Sequence, residues 1–169
     1  SLSPTRDDFR RLAGQGNLVP VFAELPADLD TPLSAYLRLR PGPYAFLLES
    51  VEGGEKWARY SFLGGGPLIV LSAKNGRITL RKGGRTERLP DGDPLVALRS
   101  LLQEVQPVAV PGLPRFQGGA VGFLGYDMVG HMERLPRVAK DDLELPDAVF
   151  MLTETLLVFD NLRHRLLVI

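Results

Sequence analysis

Cysteine is absent from this 169-residue sequence, and only two histidines are present, His131 and His164. The lack of cysteine excludes disulfides, thiolate nucleophiles and thiolate metal sites. Neither histidine has a second histidine at ligand spacing, and no Ser-His-Asp triad stands out. The acidic run of Asp141, Asp142 and Glu144 is interpreted as a solvated loop. We therefore assign neither a catalytic residue nor a metal ligand to this chain.

An excess of one charge is also missing, because 20 basic side chains offset 20 acidic ones. Non-specific binding of nucleic acid depends on positive charge, so no nucleic acid is expected as a partner. No apolar run approaches the ~20 residues of a membrane span, and residues 1–12 lack the apolar core of a signal peptide. The sequence therefore predicts no membrane contact and a cytoplasmic location.

The composition is typical of a globular protein, with 44% hydrophobic and 24% charged residues. These proportions argue against disorder. A chain of 169 residues is long enough for one domain with a sizeable core.

Three helices and a short fourth one near 127–133 are predicted, and the first two begin where a capping residue precedes a proline. The third has an apolar stripe at helical spacing. The first helix begins at Ser3-Pro4 and stops at Gly14 or Gly16, the second runs from Thr31-Pro32 to Pro41-Gly42, and the third spans 93–105.

Strands account for most of the remaining apolar segments. Asn75-Gly76 predicts a tight hairpin, because both positions of such a turn need positive φ. The last apolar stretch is interpreted as two long strands about a turn at Asp160-Asn161. Strands followed by a helix and further strands predict an α+β fold, with a largely antiparallel sheet and a few flanking helices. Strands are predicted at 18–25, 44–50, 57–63, 67–74 and 77–82 and within 111–127.

The glycines of "QGGAVGFLG" do not form a dinucleotide-binding motif. Ala120 occupies a position where the G-x-G-x-x-G fingerprint needs glycine, and the remaining spacing does not fit. We interpret Gly118, Gly119 and Gly122 as positions that let another backbone approach the strand closely.

The stretch "YAFLLES" raises the main functional question. Its apolar strand ends in Leu48, Glu49 and Ser50, just before a glycine-rich turn. Such a strand end either meets solvent or lines a ligand pocket. The residues alone leave both interpretations open. Arg59 and Tyr60 lie within the next predicted strand and are interpreted as structural, because alternation buries Tyr60 and Phe62 on one face and leaves Arg59 and Ser61 on the other.

Four motifs occur in a specific order: "PVFAELPADLDTPLSAYLRL", "FLLES", "RYSFLGGGP" and "PRFQGGAVGFLGYD". In this order they resemble the N-terminal region of anthranilate synthase component I, and the resemblance covers nearly the whole chain. The corresponding region of aminodeoxychorismate synthase component I shares much of the pattern and remains an alternative. A stand-alone small-molecule-binding domain is the other alternative.

The resemblance implies that residues 1–169 are the N-terminal regulatory domain of a larger, two-lobed, chorismate-utilising lyase. The full-length enzyme makes anthranilate and pyruvate from chorismate and ammonia, and a glutamine amidotransferase subunit supplies the ammonia. Its Mg²⁺ site and its chemistry belong to a C-terminal catalytic region, so the present chain alone is expected to be inactive. The missing initial Met and the apolar strand at Ile169 agree with a truncated chain.

The family is inhibited by tryptophan, and the resemblance assigns part of the tryptophan site to this chain. A serine hydroxyl can donate to the ligand carboxylate, and apolar side chains can contact the indole ring. Lys56 is expected to offset the carboxylate charge, and Pro20 to lie nearby if its strand pairs beside that of Leu48. The expected tryptophan-binding residues are Leu48, Glu49, Ser50, Lys56 and Pro20.

Overall fold

The computed structural model describes residues 2–39, 42–49, 59–135 and 140–169. Within them, two antiparallel sheets and a few helices confirm the α+β prediction. The chain divides into two compact units, and each unit contains one of the sheets. The length of the chain predicted a single hydrophobic core, whereas the structure has two buried clusters, one against each sheet. The first unit comprises Ser1–Pro67, Val105–Gly119 and Thr153–Ile169, and the second comprises Leu68–Glu104 and Ala120–Leu152.

The first unit contains a six-stranded sheet and two helices. Its strands are β1 (Leu2–Ser3), β2 (Phe22–Pro26), β3 (Ala45–Leu48), β4 (Tyr60–Gly65), β10 (Leu156–Asp160) and β11 (Arg165–Val168). Their order across the sheet is β1-β2-β11-β10-β4-β3, so β3 is an edge strand. The helices are α1 (Arg6–Leu12) and α2 (Pro32–Leu39).

The second unit contains a five-stranded sheet with one α-helix and one short 3-10 helix. Its strands are β5 (Ile69–Lys74), β6 (Arg77–Lys82), β7 (Arg85–Leu89), β8 (Ala120–Leu124) and β9 (Ala148–Leu152). Their order is β7-β6-β5-β9-β8. The helix α3 spans Pro94–Gln103, and the 3-10 helix spans Tyr126–His131.

Each unit buries a compact apolar cluster. In the first unit, Ala35 of α2 packs against Leu63, Phe159 and Leu166 on one face of the sheet. In the second unit, Leu98 and Leu101 of α3 pack against a buried cluster that comprises Leu71, Ala73, Ile78, Met128 and Ala148. No helix in the described ranges has the length and apolar character needed to cross a membrane.

Local turn and cap signals predicted several elements correctly. Asn75 and Gly76 have φ of 50° and 77° and join β5 to β6, which confirms the predicted hairpin. The helix α3 falls within the predicted range 93–105, with Pro94 in its first turn, and Asp93 caps it by accepting a hydrogen bond from the Leu95 N–H at 2.8 Å. Thr31 and Ser34 each accept the other's backbone N–H, at 3.0 and 2.9 Å, where α2 begins.

Two predictions about the N-terminal part were wrong. The first helix is capped by Thr5 and begins at Arg6, because Ser3 pairs with Phe22 in the first sheet. The strand predicted from residue 18 begins only at Phe22, and although Pro20 would favour an edge strand, it lies between β1 and β11. Pro20 precedes the paired residues, so its missing N–H does not prevent β2 from pairing on both sides.

The two long strands predicted near the C-terminus are three strands. The chain leaves β9 at Leu152 and enters β10 at Leu156, which belongs to the other sheet. Both strands are apolar, so hydrophobic pattern alone does not mark the change of sheet. The expected turn after Asp160 is present, and His164 within it has φ of 48°.

The interpretation of the glycines as points of close backbone approach holds for Gly122 and was wrong for Gly118 and Gly119. A Cβ on Gly118 would meet nothing within 4 Å, and one on Gly119 would meet only a ring carbon of Phe116 at 3.8 Å. A Cβ built on Gly122 would clash with the carbonyl oxygen of Val149 and lie 2.7 Å from Cα of Phe150. Both atoms belong to the backbone of the neighbouring strand, so a side chain at Gly122 would collide with groups that cannot rotate away.

Candidate functional site

The end of β3 is the candidate site that the sequence indicated. Leu48 is the last residue of β3, lies opposite Phe62 of β4, and is 47% exposed. Glu49 follows and is exposed. Among the described strands only β4 pairs with β3, so the other edge of β3 has backbone groups that no strand in this sheet uses. An apolar side chain and main-chain donors and acceptors therefore meet at one exposed position.

Strand alternation separates Leu48 from its neighbours. Leu48, Phe62 and Val158 lie in one cross-strand row and share a face. Leu47 and Leu63 lie on the opposite face, which α2 covers. If the alternation continues for one residue, the Glu49 side chain projects towards the α2 face. Leu48 and Glu49 then cannot both line one pocket with their side chains.

A buried carboxylate lies at the same end of the sheet. Asp160 is 1% exposed and ends β10. Nε and Nη2 of Arg59 each donate to this carboxylate at 2.9 Å, and Nε of Arg165 donates at 3.2 Å. Arg165 also donates to Glu24 at 2.6 Å. We call these four residues the Asp160 network. It links the middle of β2, the residue before β4, the end of β10 and the start of β11.

The two arginines decide the ionisation of Asp160. Burial acts to raise the pKa of Asp160, and hydrogen bonds from Arg59 and Arg165 act to lower it. The arginines outweigh burial, so the pKa of Asp160 lies below its ordinary value. The hydrogen bond to Asp160 in turn raises the pKa of Arg59. Asp160 and Arg59 are thus both ionised under neutral conditions.

An aromatic row continues from Arg59 along β4. The guanidinium carbon of Arg59 lies 4.8 Å from the ring centroid of Tyr60. The rings of Tyr60 and Phe62 are 6.1 Å apart, and Phe62 meets Phe116 edge to face at 5.3 Å. Tyr60 and Phe62 therefore share one face, as alternation predicted. Arg59 has the structural contacts expected of it and is also 26% exposed.

The structure brings together only part of the predicted tryptophan site. Leu48 and Glu49 are adjacent at the end of β3, whereas Ser50 and Lys56 lie outside the described residues. Pro20 precedes β2, and β11, β10 and β4 separate β2 from β3. The pairing that was to bring Pro20 near Leu48 is therefore absent from the described sheet. Four strand spacings of about 4.8 Å each separate β2 from β3 along the sheet.

A second polar cluster lies in the second unit. Nζ of Lys74 forms ion pairs with Asp141 and Asp147 and donates to the carbonyl oxygen of Leu145 at 2.6 Å. The hydrogen bond from Lys74 lowers the pKa of Asp141. Part of the acidic run is thus ion-paired and not simply solvated. Within the described part of the chain, no group of three or more His, Cys, Asp or Glu side chains is arranged to hold a metal ion.

The comparisons with known proteins agree on one family name. The chain is 40% identical over 166 residues to anthranilate synthase component 1 of Acetivibrio thermocellus, an alignment that covers 98% of this chain and 34% of that protein. It is 43% identical over 167 residues to the Pseudomonas aeruginosa protein of the same name, which covers 95% of this chain and 34% of that protein. The chain is a relative of anthranilate synthase component 1.

The structural comparison agrees with the anthranilate synthase relationship. A crystal structure of anthranilate synthase component I from Streptococcus pneumoniae TIGR4 matches with a TM-score of 0.53 and 30% identity, over 84% of this chain and 30% of that one. The chain spans about a third of the length of these anthranilate synthase relatives. No family model matches the sequence. The resemblance inferred from the four motifs is therefore confirmed.

Proposed function

We propose that this chain is the N-terminal, tryptophan-sensing part of an anthranilate synthase component I. The proposal rests on sequence similarity to proteins of that name. The alignments cover nearly all of this chain and about a third of each relative. The full-length protein would then convert chorismate and ammonia to anthranilate and pyruvate. Its Mg²⁺-dependent chemistry would lie in a C-terminal catalytic region, and a glutamine amidotransferase subunit would supply the ammonia.

The end of β3 has the chemistry that a free amino acid needs. Tryptophan presents an ammonium, a carboxylate and a flat apolar ring with one N–H group. The half-exposed Leu48 provides an apolar surface for the ring. If strand alternation extends to Glu49, its side chain faces the other side of the sheet, and Glu49 then contributes through its backbone carbonyl, which can accept a hydrogen bond from the ammonium. The Ser50 hydroxyl and the Lys56 ammonium are proposed to complete this chain's share of the site.

Inhibition follows if tryptophan also contacts the catalytic region. A ligand that binds residues of two lobes stabilises one arrangement of those lobes over others. When that arrangement binds chorismate less well, tryptophan and chorismate oppose each other with a coupling of about 1–3 kcal/mol. Tryptophan made by the pathway would then limit its own synthesis.

Substitution of Ser50 tests this proposal in the full-length enzyme. We expect Ser50→Ala to weaken inhibition by tryptophan and to leave the rate without tryptophan unchanged, because the hydroxyl binds only the inhibitor. Ser100→Ala is the matched control, since the Ser100 hydroxyl donates only to the Val96 carbonyl oxygen, at 3.1 Å within α3. Curves of anthranilate formation against tryptophan concentration compare the inhibition of the two variants with that of wild type. Equal inhibition of Ser50→Ala and wild type would remove Ser50 from the site.

A further inference from the structure

The hairpin of β6 and β7 concentrates positive charge in a chain whose charges otherwise balance. Residues 77–89 contain five arginine or lysine side chains and a single acidic one, Glu87. All six of these side chains are exposed. A surface with an excess of one charge raises the local concentration of ions of the opposite sign. The hairpin is therefore a candidate surface for an anionic ligand.

Strand alternation gathers three of the arginines on one face of the hairpin. Ile78 belongs to the buried core beneath α3, so Arg77, Thr79 and Arg81 lie on the opposite face of β6. Arg88 of β7 is the cross-strand partner of Thr79 and shares that face. Arg77 and Arg81 are each about 7 Å along β6 from Thr79. We call the three arginines around Thr79 the arginine cluster. Like charges at this spacing repel one another, and an anion bound between them relieves the repulsion.

Two hydroxyl groups and a cleft border the arginine cluster. Oγ of Ser72 and Oγ1 of Thr79 lie 2.8 Å apart and share one hydrogen bond. The second hydroxyl proton has only a long contact, from Thr79 to the Ser72 carbonyl oxygen at 3.4 Å, so a closer acceptor can take it. Both hydroxyls and Arg77 line a cleft of ≈ 450 Å³. This volume lies within the range of roughly 300–1,000 Å³ that is usual for small-ligand sites.

Arg77 supplies the uncompensated positive charge of this cleft. The Lys74 ammonium also lines the cleft, but it already pairs with two carboxylates, those of Asp141 and Asp147. Within the described ranges Arg77 makes no ion pair. Arg88 donates to Asp91 only through Nη2, at 3.0 Å, so its other N–H groups are not used by that pair.

We propose that the arginine cluster and the hydroxyl pair of Ser72 and Thr79 bind the phosphate group of a small molecule, a role separate from tryptophan sensing. Guanidinium groups present paired N–H donors that match the oxygens of phosphate, and such charge-assisted hydrogen bonds are stronger than neutral ones. The hydroxyl proton donates to a further phosphate oxygen. The site belongs to the second unit, whereas Leu48 belongs to the first.

Calorimetric titration of the full-length protein with inorganic phosphate tests this proposal. Sodium chloride keeps the ionic strength constant, so that general screening is the same throughout. Wild type should bind phosphate, and Arg77→Gln and Arg81→Gln should each weaken binding about 10-fold or more. Lys82→Gln and Arg85→Gln are the matched controls, because these two residues pair with each other on the opposite face of the same hairpin. Each control removes one positive charge and should leave phosphate binding unchanged.

The controls separate a specific site from general attraction by the hairpin. Equal weakening in all four variants would show attraction without a site and would overturn the proposal. Phosphate binding of wild-type strength in Arg77→Gln and Arg81→Gln would place the anion elsewhere, and absence of binding to wild type would leave no site at all. All four side chains are exposed, so the variants should fold as wild type does, and equal thermal unfolding midpoints would confirm this.

Discussion

Asp160 shows how a single buried charge can hold several strand ends. The carboxylate has almost no contact with solvent, so it needs partners that compensate its charge. Arg59 and Arg165 provide them from the ends of β4 and β11. Removing one member of a buried ion pair leaves the remaining charges uncompensated, which is far more costly than losing an exposed pair.

Asp160→Asn tests the structural role of this network. We expect the free energy of unfolding at pH 7 to fall by about 3–5 kcal/mol, because both arginines lose their buried counter-ion. Asp91→Asn is the matched control, since the pair of Asp91 and Arg88 is largely exposed and should contribute no more than about 1 kcal/mol. Urea unfolding followed by fluorescence measures both values. Equal small losses in the two variants would show that the network does not stabilise the fold.

The difference in the free energy of unfolding between wild type and Asp160→Asn should depend on pH with a definite sign. The folded pKa of Asp160 lies below its ordinary value, so the ionised carboxylate stabilises the native state. That contribution is complete above the unfolded pKa of about 3.9 and is lost as the pH falls through the lower folded pKa. The gap in stability between wild type and Asp160→Asn should therefore be constant from pH 7 to about 5 and should narrow below about pH 4. A gap that widened in acid would contradict the assignment.

The Asp160 network could not be predicted from the sequence. Arg59 and Asp160 are 101 positions apart, and helix and strand patterns relate only residues that are close along the chain. A weak signal was present, since "LLVFD" ends an apolar strand in a carboxylate and Arg165 follows shortly. By contrast, Leu48 and Glu49 were identified because the change from apolar to polar residues at a strand end is local.

At the level of elements, the predicted helices and strands match the structure best where the local sequence signals, such as caps and prolines, are strong. The helices α2 and α3 have side-chain caps and a following proline, and both were predicted within a few residues. The helix α1 was placed too early because Ser3 and Thr5 are both good caps and only pairing with β2 excludes Ser3. The break between β9 and β10 was missed because tertiary pairing, rather than sequence pattern, decides which sheet a strand joins.

Gly122 provides a test of the pairing between β8 and β9. Gly122→Ala should destabilise the protein by about 3 kcal/mol or more, because the added Cβ would collide with the backbone of Val149 and Phe150. The control is Gly92→Ala, where a Cβ meets nothing within 4 Å and φ lies outside the left-handed region. That change should be neutral or slightly stabilising. Thermal unfolding compares the two variants, and a well-tolerated Gly122→Ala would show that the strands are not so closely paired.

At the level of the whole molecule, the two units have different relations to the proposed site. Leu48, Arg59 and the Asp160 network all belong to the first unit. The second unit contributes its own buried core beneath α3 and a separate ion-pair cluster around Lys74. The length of the sequence was sufficient to predict a folded chain. It did not reveal this division, because both sheets are built from segments that are discontinuous in sequence.

The size of the relatives leads to a prediction about ligand binding by this chain alone. The chain accounts for about a third of their length, and among the described residues Leu48 at the end of β3 is 47% exposed. Ligand pockets usually bury most of a ligand's surface, so contacts from one side should give weak affinity. We expect calorimetry with L-tryptophan to detect little or no heat with residues 1–169 and clear binding with the full-length protein. Because isolated chains sometimes misfold, circular dichroism should first confirm that the 169-residue chain is folded. Equal affinity of the two proteins would show that residues 1–169 bind tryptophan unaided, and the two-lobed mechanism of inhibition would then be wrong.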